Sequence, residues 1–198
     1  MSGFLYGGLT KPLSRADSFR IWDAAWDVGI RAFDTAEGYG ACAERLETWL
    51  QEREHFNGHV STKVTAGAGL GLRAAGAHHR FSGIAHTTTL LHGLGSEADW
   101  DILTRSVGAA GMSVYTAPEI ATAIARRPLR MQIPISALPA GEHPPLDLRR
   151  VFDDGRLCKR NDPTKLIRQA LAKLQLRDRL VIGVDTPEQI EAIVRALA

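Results

Sequence analysis

The fold of this chain is decided by residues 30–64, which read IRAFDTAEGYGACAERLETWLQEREHFNGHVSTKV. The stretch opens with β-branched and aromatic residues typical of a strand, and the segment from Ala43 to Glu52 then places leucine and tryptophan at helical spacing. A second strand pattern follows from His59 to Val64. Two strands joined by a helical crossover lie parallel, so this stretch predicts one βα repeat of about thirty residues in a parallel sheet.

The same alternation continues toward both ends of the chain. A short strand is predicted before the quoted stretch, from Phe4 to Gly8. The strands predicted after it are Thr87 to His92, Val107 to Val114, Leu129 to Ile135, Leu146 to about Phe152, and Leu180 to Val184. Together with the two strands of the quoted stretch, the pattern predicts eight strands.

Helix starts are marked by residues that favour the N-cap position. Ser14 begins a helix that Gly29 ends, and the later starts are marked by Ser96, Thr116, Asp162 and Thr186. The segment from Thr65 to Gly83 is predicted to be a loop with a weak helix, because each glycine in it costs a helix roughly 1 kcal/mol relative to alanine. The pattern therefore predicts about seven helices.

This count predicts an α/β fold, a (β/α)8 barrel that forms one domain over residues 1–198. Such barrels usually have about 250 residues, so this one is expected to be trimmed. Prolines and a glycine between Ser136 and Pro145 exclude a helix after the sixth strand. An open doubly wound sheet is the alternative, but the nearest match to its dinucleotide fingerprint, Gly67 to Gly71, lacks the third glycine.

The composition argues against several classes of function. Twenty-four basic and 22 acidic residues leave a net charge of +2, and their scatter predicts no nucleic-acid partner. No apolar run approaches the roughly 18 residues that span a bilayer, so no membrane partner is expected. The histidines show no metal-ligand spacing, which predicts no metal site. Two cysteines, Cys42 and Cys158, lack C-x-x-C spacing and are typical of a reduced, cytoplasmic protein.

Four polar residues lie where a barrel of this kind places its active site, at the carboxyl ends of the strands. Asp34 ends the second strand, Tyr39 follows in the next loop, Lys63 lies at the end of the third strand, and His92 ends the fourth. Taken singly, each has an ordinary structural explanation as a turn cap, an ion-pair partner or a buried histidine. Their occurrence on successive strands predicts a cluster at one side of the barrel mouth.

Such a cluster suits carbonyl chemistry with proton transfer. A tyrosine is a weak acid at neutral pH, but a lysine ammonium within about 4 to 6 Å favours its phenolate form. Lys63 is placed to do this for Tyr39, and the Asp34 carboxylate would keep the lysine charged and oriented. An imidazole such as that of His92 can hydrogen-bond a substrate oxygen.

Several segments resemble the aldo-keto reductase family. The stretch FDTAEGYG at residues 33–40, with Glu44 after it, is similar to the motif in which DTA, two residues, YG and a glutamate occur in that order. Weaker similarities follow in the family's order along the chain: STKV at 61–64, LLH at 90–92, GMSVY at 111–115, MQIP at 131–134, RVF at 150–152 with Gly155 and Leu157, and IGVDTPEQ at 182–189.

The resemblance implies NAD(P)H-dependent reduction of a small-molecule aldehyde or ketone, in which the cofactor, NADP(H) or NAD(H), supplies the hydride. It also implies roles for individual residues. Tyr39 would be the proton donor, with Asp34, Lys63 and His92 completing a catalytic tetrad. The implied cofactor contacts are Ser113 and Gln132 at the nicotinamide carboxamide, and Gly183, Thr186 and Gln189 at the adenosine phosphate end.

Two features of the sequence bear on alternatives to that activity. Asp185 stands at the final turn with no adjacent Lys or Arg to hold a 2′-phosphate, and Arg195 compensates only if the last helix presents it there. A non-redox acid-base enzyme, a dehydratase or isomerase on the same scaffold, is therefore a second hypothesis for the function, and a non-catalytic binding protein is a third.

Omission of the sixth helix also predicts exposed apolar strands and a homodimer that covers them.

Overall fold

The computed structural model describes residues 3–4, 13–53, 56–153 and 162–197. The strands are β1 (Gly3–Phe4), β2 (Ala32–Asp34), β3 (His59–Thr65), β4 (His86–His92), β5 (Ala110–Ser113), β6 (Arg130–Pro134), β7 (Leu146–Arg149) and β8 (Arg179–Val181). The helices are α1 (Arg15–Asp27), α2 (Cys42–Gln51), α3 (Leu70–Ser82), α4 (Glu97–Ser106), α5 (Ala117–Ala125), α6 (Pro163–Leu171) and α7 (Pro187–Leu197). Residues 5–8 of the first predicted strand, and Gly155, Leu157 and Cys158, lie outside the described residues.

The eight strands form one parallel sheet in the order β1-β8-β7-β6-β5-β4-β3-β2. Neighbouring strands pair in register, for example Lys63 with Leu90 and Ser113 with Gln132. The two end strands, β1 and β2, lie in contact, so the sheet curls into a nearly closed barrel. The predicted (β/α)8 barrel is confirmed, and the carboxyl ends of all strands meet at one mouth.

Four of the five predicted helix starts are confirmed by N-cap hydrogen bonds. The side chains of Ser14, Ser96 and Thr116 accept from the backbone N–H three residues on, and Asp162 accepts from the N–H two residues on. At Ser96 and Thr116 the residue three positions later returns the bond, which completes a capping box. These caps position each helix on the outside of the barrel.

Helix α3 corrects the prediction of a loop with only a weak helix. It is a regular 13-residue helix, because Leu70, Ala74 and Phe81 are completely or almost completely buried along one face. Burial of that face outweighs the poor helix propensity of its glycines. Gly71 also serves the packing, since a Cβ there would lie 3.2 Å from Ser106 Oγ on the neighbouring helix α4.

The segment between β6 and β7 lies entirely within the described residues, and it contains a three-residue 3-10 turn, Ile135–Ala137, but no α-helix. The predicted omission is therefore confirmed. The expected exposure of apolar strands is wrong. The outward-facing residues Met131, Ile133, Leu146 and Leu148 are all 0 % exposed. Side chains of the 3-10 turn and of the residue after it pack against the hydrophobic core.

The base of the barrel interior is polar. Asp147 is completely buried and accepts hydrogen bonds from Arg130 Nη1 at 2.8 Å and Ser61 Oγ at 3.3 Å. His59 Nε2 lies 2.9 Å from Thr88 Oγ1. Burial lowers the pKa of His59 from 6.5 to about 3, and the charges of nearby arginines act in the same direction. The imidazole is therefore neutral in the folded protein near pH 7.

This neutral imidazole predicts sensitivity to acid. Because the pKa of His59 is lower in the folded state, the stability that the neutral imidazole contributes is present above pH 6.5 and is lost as the pH falls toward 3. When the pH is lowered from 7.5 to 4.5, the unfolding free energy of the wild type should fall by about 2 to 3 kcal/mol more than that of His59→Gln. Glutamine at this position keeps a hydrogen-bonding side chain but does not titrate. Urea unfolding at both pH values measures this. His79→Gln, at an exposed site on α3, is the matched control, and equal acid sensitivity of His59→Gln and wild type would contradict the prediction.

Candidate functional site

The centre of the site is a buried ion pair between neighbouring strands. Asp34 ends β2 and Lys63 lies on the interior face of β3, and both side chains are 1 % exposed. Lys63 Nζ lies 2.6 Å from each carboxylate oxygen of Asp34 and 3.0 Å from the carbonyl oxygen of Thr35. Burial lowers the pKa of Lys63, while the Asp34 carboxylate acts in the opposite direction. Three oxygens thus hold the ammonium in one position.

The loop that carries Tyr39 is attached to β3 and the segment after it. Glu37 Oε1 accepts from the N–H and the hydroxyl of Thr65, each at 2.6 Å, and Glu37 Oε2 accepts from Arg73 Nε at 3.1 Å. The backbone N–H of Glu37 donates to the carbonyl oxygen of Lys63 at 2.9 Å. Gly40 continues the turn with φ +57°, a conformation that favours glycine. These contacts hold Tyr39 beside Lys63, whose Nζ lies 5.1 Å from the centre of the tyrosine ring.

His92, at the end of β4, is hydrogen-bonded to a second tyrosine. Its Nε2 lies 2.6 Å from Tyr115 Oη. Burial lowers the pKa of His92, and the positive charges of Lys63 and Arg149 lower it further. The imidazole is therefore neutral near pH 7, and it forms with the Tyr115 hydroxyl a neutral hydrogen-bonding pair at the barrel mouth.

Ser113 and Gln132, the two residues predicted to contact a nicotinamide carboxamide, are hydrogen-bonded to each other. Ser113 Oγ donates to Gln132 Oε1 at 3.3 Å, and Gln132 Nε2 donates to Asp34 Oδ1 at 2.9 Å. Ser113 is completely buried and Gln132 is 2 % exposed. The amide of Gln132 and the ammonium of Lys63 therefore both bond to Asp34 Oδ1 and hold the carboxylate in place.

The predicted phosphate-binding turn precedes α7. Gln189 Oε1 accepts from the backbone N–H of Asp185 at 2.6 Å and of Thr186 at 3.4 Å. The side chain of Gln189 thus occupies backbone donors that an anion would use at this helix start. Arg195 lies near the other end of α7, about 12 Å along the helix at about 1.5 Å per residue, and pairs with Glu191 at 3.7 Å. It does not face the turn.

These groups surround a cavity of about 310 Å³ at the barrel mouth. Of the predicted site residues, the structure places six in its wall: Asp34, Tyr39, Lys63, His92, Gln132 and Gly183. The other three, Ser113, Thr186 and Gln189, are described but are not among the residues that line it. The predicted cluster around Tyr39 therefore forms in the structure. Of the residues predicted at the phosphate end, Gly183 lines the cavity, whereas Thr186 and Gln189 do not.

Sequence reasoning missed three polar residues in the wall of this cavity, Tyr115, Arg149 and Arg150. Tyr115 follows β5 by two residues, and Arg149 ends β7. The rule that identified Asp34 and His92, a polar residue at the carboxyl end of a strand, did not select Arg149, because the seventh strand was predicted to continue to about Phe152 and the observed strand ends at Arg149.

Two other kinds of site were searched for in the described parts of the chain. Those residues hold no group of three or more His, Cys, Asp or Glu arranged to bind a metal ion. None of the helices in the described ranges is both long enough and apolar enough to cross a bilayer.

Known proteins are similar to this chain in sequence over part of its length. Residues 3–87 match the model of the aldo/keto reductase family. A 60-residue stretch is 47 % identical to pyridoxal 4-dehydrogenase of Microbacterium luteolum and covers 29 % of this chain and 17 % of that enzyme. A stretch of the same length is 40 % identical to D-threo-aldose 1-dehydrogenase of a Pseudomonas species and covers 18 % of it. The matched stretch thus spans less than a fifth of either curated relative.

Solved structures share the fold over nearly the whole chain. An aldo-keto reductase from Klebsiella pneumoniae in complex with NADPH superimposes with a TM-score of 0.76 at 17 % identity, covering 99 % of this chain and 84 % of that one. The holo form of an aldo-keto reductase from Bacillus halodurans superimposes with a TM-score of 0.71 at 17 % identity, covering 98 % and 86 %. At these identities the likeness establishes the barrel fold.

Proposed function

We propose that this protein, whose residues 3–87 match the model of the aldo/keto reductase family, reduces a small-molecule aldehyde or ketone with NADPH or NADH. The observation that carries the proposal is the convergence of Tyr39, Lys63, Asp34 and His92 on one cavity at the barrel mouth. Lying on a loop and three different strands, these residues meet only because the strands are parallel and adjacent. The arrangement supplies a proton donor, a fixed positive charge and a neutral hydrogen-bonding pair.

Tyr39 is the group proposed to give its phenolic proton to the carbonyl oxygen as that oxygen gains negative charge. The phenolic oxygen then carries the charge, and the Lys63 ammonium, 5.1 Å from the ring centre, stabilises it electrostatically. Asp34 acts as a positioning residue, because its two contacts with Nζ keep the ammonium from turning away. Water restores the proton to Tyr39 after the alcohol leaves.

His92 and Tyr115 are proposed to orient the carbonyl. Because burial and nearby positive charges lower the pKa of His92, its imidazole is a weak base and takes up the proton of Tyr39 less readily. The His92–Tyr115 pair offers hydrogen-bonding groups in the cavity wall toward a substrate oxygen. Geometry of this kind contributes by holding the reacting carbonyl in position relative to the proton donor.

The residues present fit the nicotinamide end of a cofactor better than its phosphate end. A cavity of about 310 Å³ is near the lower end of the range for ligand pockets, and the small residue Gly183 and the Gln132 amide lie in its wall. At the start of α7, by contrast, Gln189 already occupies the N–H groups of Asp185 and Thr186. When bound, the reduced nicotinamide supplies the two electrons of the reduction, and Gln132 and Gly183 are the described residues proposed to hold it.

The cofactor is therefore expected to bind with low affinity. Titration of the protein with NADPH or NADH, followed by energy transfer from its four tryptophans, should give a dissociation constant between micromolar and near-millimolar, about −8 to −4 kcal/mol. AMP, which lacks the nicotinamide, controls for binding through the adenosine end alone. Absence of binding by both reduced cofactors at millimolar concentration would remove the oxidoreductase proposal.

A non-redox acid-base enzyme is the second candidate, and one observation favours it. The backbone donors of the turn before α7 bond to Gln189, so the predicted contacts at the phosphate end of the cofactor are already satisfied within the chain. A dehydratase or isomerase needs only the Tyr39, Lys63 and His92 groups. The cofactor titration above separates the two candidates.

Cytoplasmic location and assembly as a homodimer remain predictions from sequence. The first rests on the few cysteines and their spacing. The second rested on apolar strands left exposed by the missing helix, and those residues are buried. The burial of these residues removes the argument for a dimer through that face. The homodimer therefore stays a prediction from sequence alone.

A further inference from the structure

A second cavity lies on the outside of the barrel, between helices α2 and α3, and is called the α2–α3 crevice below. Its volume is about 370 Å³, which is larger than the cavity that holds Tyr39. Its described wall residues belong to the loop after β2, to α2, to β3 and to α3, and none of them also lines the cavity at the barrel mouth. The crevice is therefore a separate space with room for a small molecule.

Small residues leave this space open on both sides. Gly40 and Ala43 lie on the α2 side, and Gly76 and Ala77 lie on α3. Gly76 is inside the helix, where glycine lowers helix stability, and a Cβ built there would meet no neighbouring group within 4 Å. Neither a positive φ nor close packing requires glycine at this position. Its structural consequence is the open space itself.

The floor of the crevice carries a buried hydroxyl without a partner. Thr62 precedes Lys63 on β3, so its side chain points away from the barrel interior and toward the helices. Thr62 is 2 % exposed, and its hydroxyl forms no hydrogen bond with another residue of the described ranges. Its oxygen is not one of the described polar atoms that are closed off from the surface. A buried hydroxyl that still reaches an open cavity is placed to bond a ligand.

The charges in the wall favour a positively charged ligand. Arg73 pairs with Glu37, and Arg80 pairs with Glu47, so both guanidinium groups are neutralised within the chain. Glu44 also lines the crevice, and its carboxylate forms no ion pair with any residue that the structure describes. In the described wall, the negative charge of Glu44 is thus the one left without an opposite charge. A cation is the ligand that complements it.

We propose that the α2–α3 crevice binds a small primary ammonium ion that carries a short apolar chain. The ammonium group donates an N–H to the Thr62 hydroxyl and faces the Glu44 carboxylate. The apolar chain packs against the ring of Phe81 and the methyl groups of Ala43 and Ala77. This site is independent of the proposed carbonyl reduction, because no step of that reaction takes place in the crevice.

Titration with butylamine, followed by amide NMR spectra, tests the inference without cofactor or turnover. Butylamine is protonated at neutral pH, and 1-butanol is its uncharged analogue. Butylamine should shift the amide signals of Gly40 and Gly76 more than that of Gly183, which lines the barrel mouth. It should bind at least about threefold more tightly than 1-butanol. Largest shifts at Gly183, or equal binding of the two compounds, would overturn the inference.

The hydroxyl of Thr62 is tested by two substitutions. Thr62→Val removes the hydroxyl but keeps the branched shape, and it should raise the dissociation constant of butylamine about tenfold, the scale of one hydrogen bond to a charged group. The unfolding free energy should not fall, because no hydrogen bond within the described part of the chain is lost. Thr62→Ser keeps the hydroxyl and should change the dissociation constant less than about twofold. Unchanged binding in Thr62→Val contradicts the inference.

The charge of Glu44 is tested in the same titration. Glu44→Gln should raise the dissociation constant of butylamine about threefold, because an exposed ion pair contributes on this scale. Glu52→Gln removes the same charge just after α2, at an exposed residue that does not line the crevice, and is the matched control. If the two variants weaken binding equally, net charge explains the affinity and the inference fails.

The space above Gly76 is tested by filling it. Gly76→Leu should raise the dissociation constant of butylamine more than about tenfold, because the new side chain occupies the crevice. His79→Leu places the same side chain at an exposed position of α3 outside the crevice and should leave binding unchanged. Circular dichroism shows whether both variants fold. Full binding of butylamine by a folded Gly76→Leu variant would place the ligand elsewhere and overturn the inference.

Discussion

Tyr39→Phe should lower turnover by about 10²-fold or more while leaving the folded structure intact. The substitution removes only the phenolic oxygen, which is the proposed proton donor, and a positioned general acid contributes on this scale. The ring that Lys63 faces is kept, and the loop remains attached through Glu37. Steady-state kinetics of the purified variant measures the turnover, and circular dichroism measures whether the fold is intact.

The second tyrosine of the cavity supplies a matched control. Tyr115→Phe removes a hydroxyl at the same cavity, but one that is bonded to His92. It should lower turnover less than Tyr39→Phe does, because its effect is on orientation of the carbonyl. A larger loss in Tyr115→Phe than in Tyr39→Phe would assign proton donation to Tyr115.

The Asp34–Lys63 pair should show the largest effect on stability. Lys63→Met leaves the Asp34 carboxylate buried and without its cation, and breaking a buried ion pair in this way costs about 3 to 5 kcal/mol of unfolding free energy. Asp34→Asn combined with Lys63→Met removes both charges and should recover most of that loss. Urea unfolding of the wild type, both single variants and the double variant measures the coupling.

Turnover should not recover with stability. The double variant keeps Tyr39 and the cavity but lacks the fixed positive charge proposed to stabilise the phenolic oxygen, so its turnover should stay as low as that of Lys63→Met. A double variant that regains both stability and turnover would show that the ion pair is only a structural element of the barrel interior.

Much of the fold and part of the candidate site were predictable from local sequence. The pattern from Ile30 to Val64, and capping residues such as Ser96, act on their own neighbours in the chain, so strand order and helix starts follow without knowledge of distant contacts. The positions of Asp34, Lys63 and His92 at adjacent strand ends follow from that order. The structure brings them to one cavity together with Tyr39.

The remainder depends on contacts between residues far apart in the chain. The glycines before and within α3 predict a weak helix, yet burial of Phe81 and close packing of Gly71 against α4 make it regular. The apolar residues of β6 and β7 are buried although no α-helix follows β6, and the proline-containing segment between these strands has no periodicity that predicts this burial. In both cases tertiary packing outweighs local propensity.

The sequence by itself determined the parallel βα order, the omitted helix and the residue types at the strand ends, because periodicity, caps and proline act within a few residues. Only the tertiary structure decided which of those residues face the cavity. Tyr115 meets His92 from 23 positions away, and Arg149 reaches the carbonyl of Val114 from 35 positions away. Barrel closure and the left-handed turn at Arg150 set these contacts, since side-chain direction at a strand end depends on the path of the backbone.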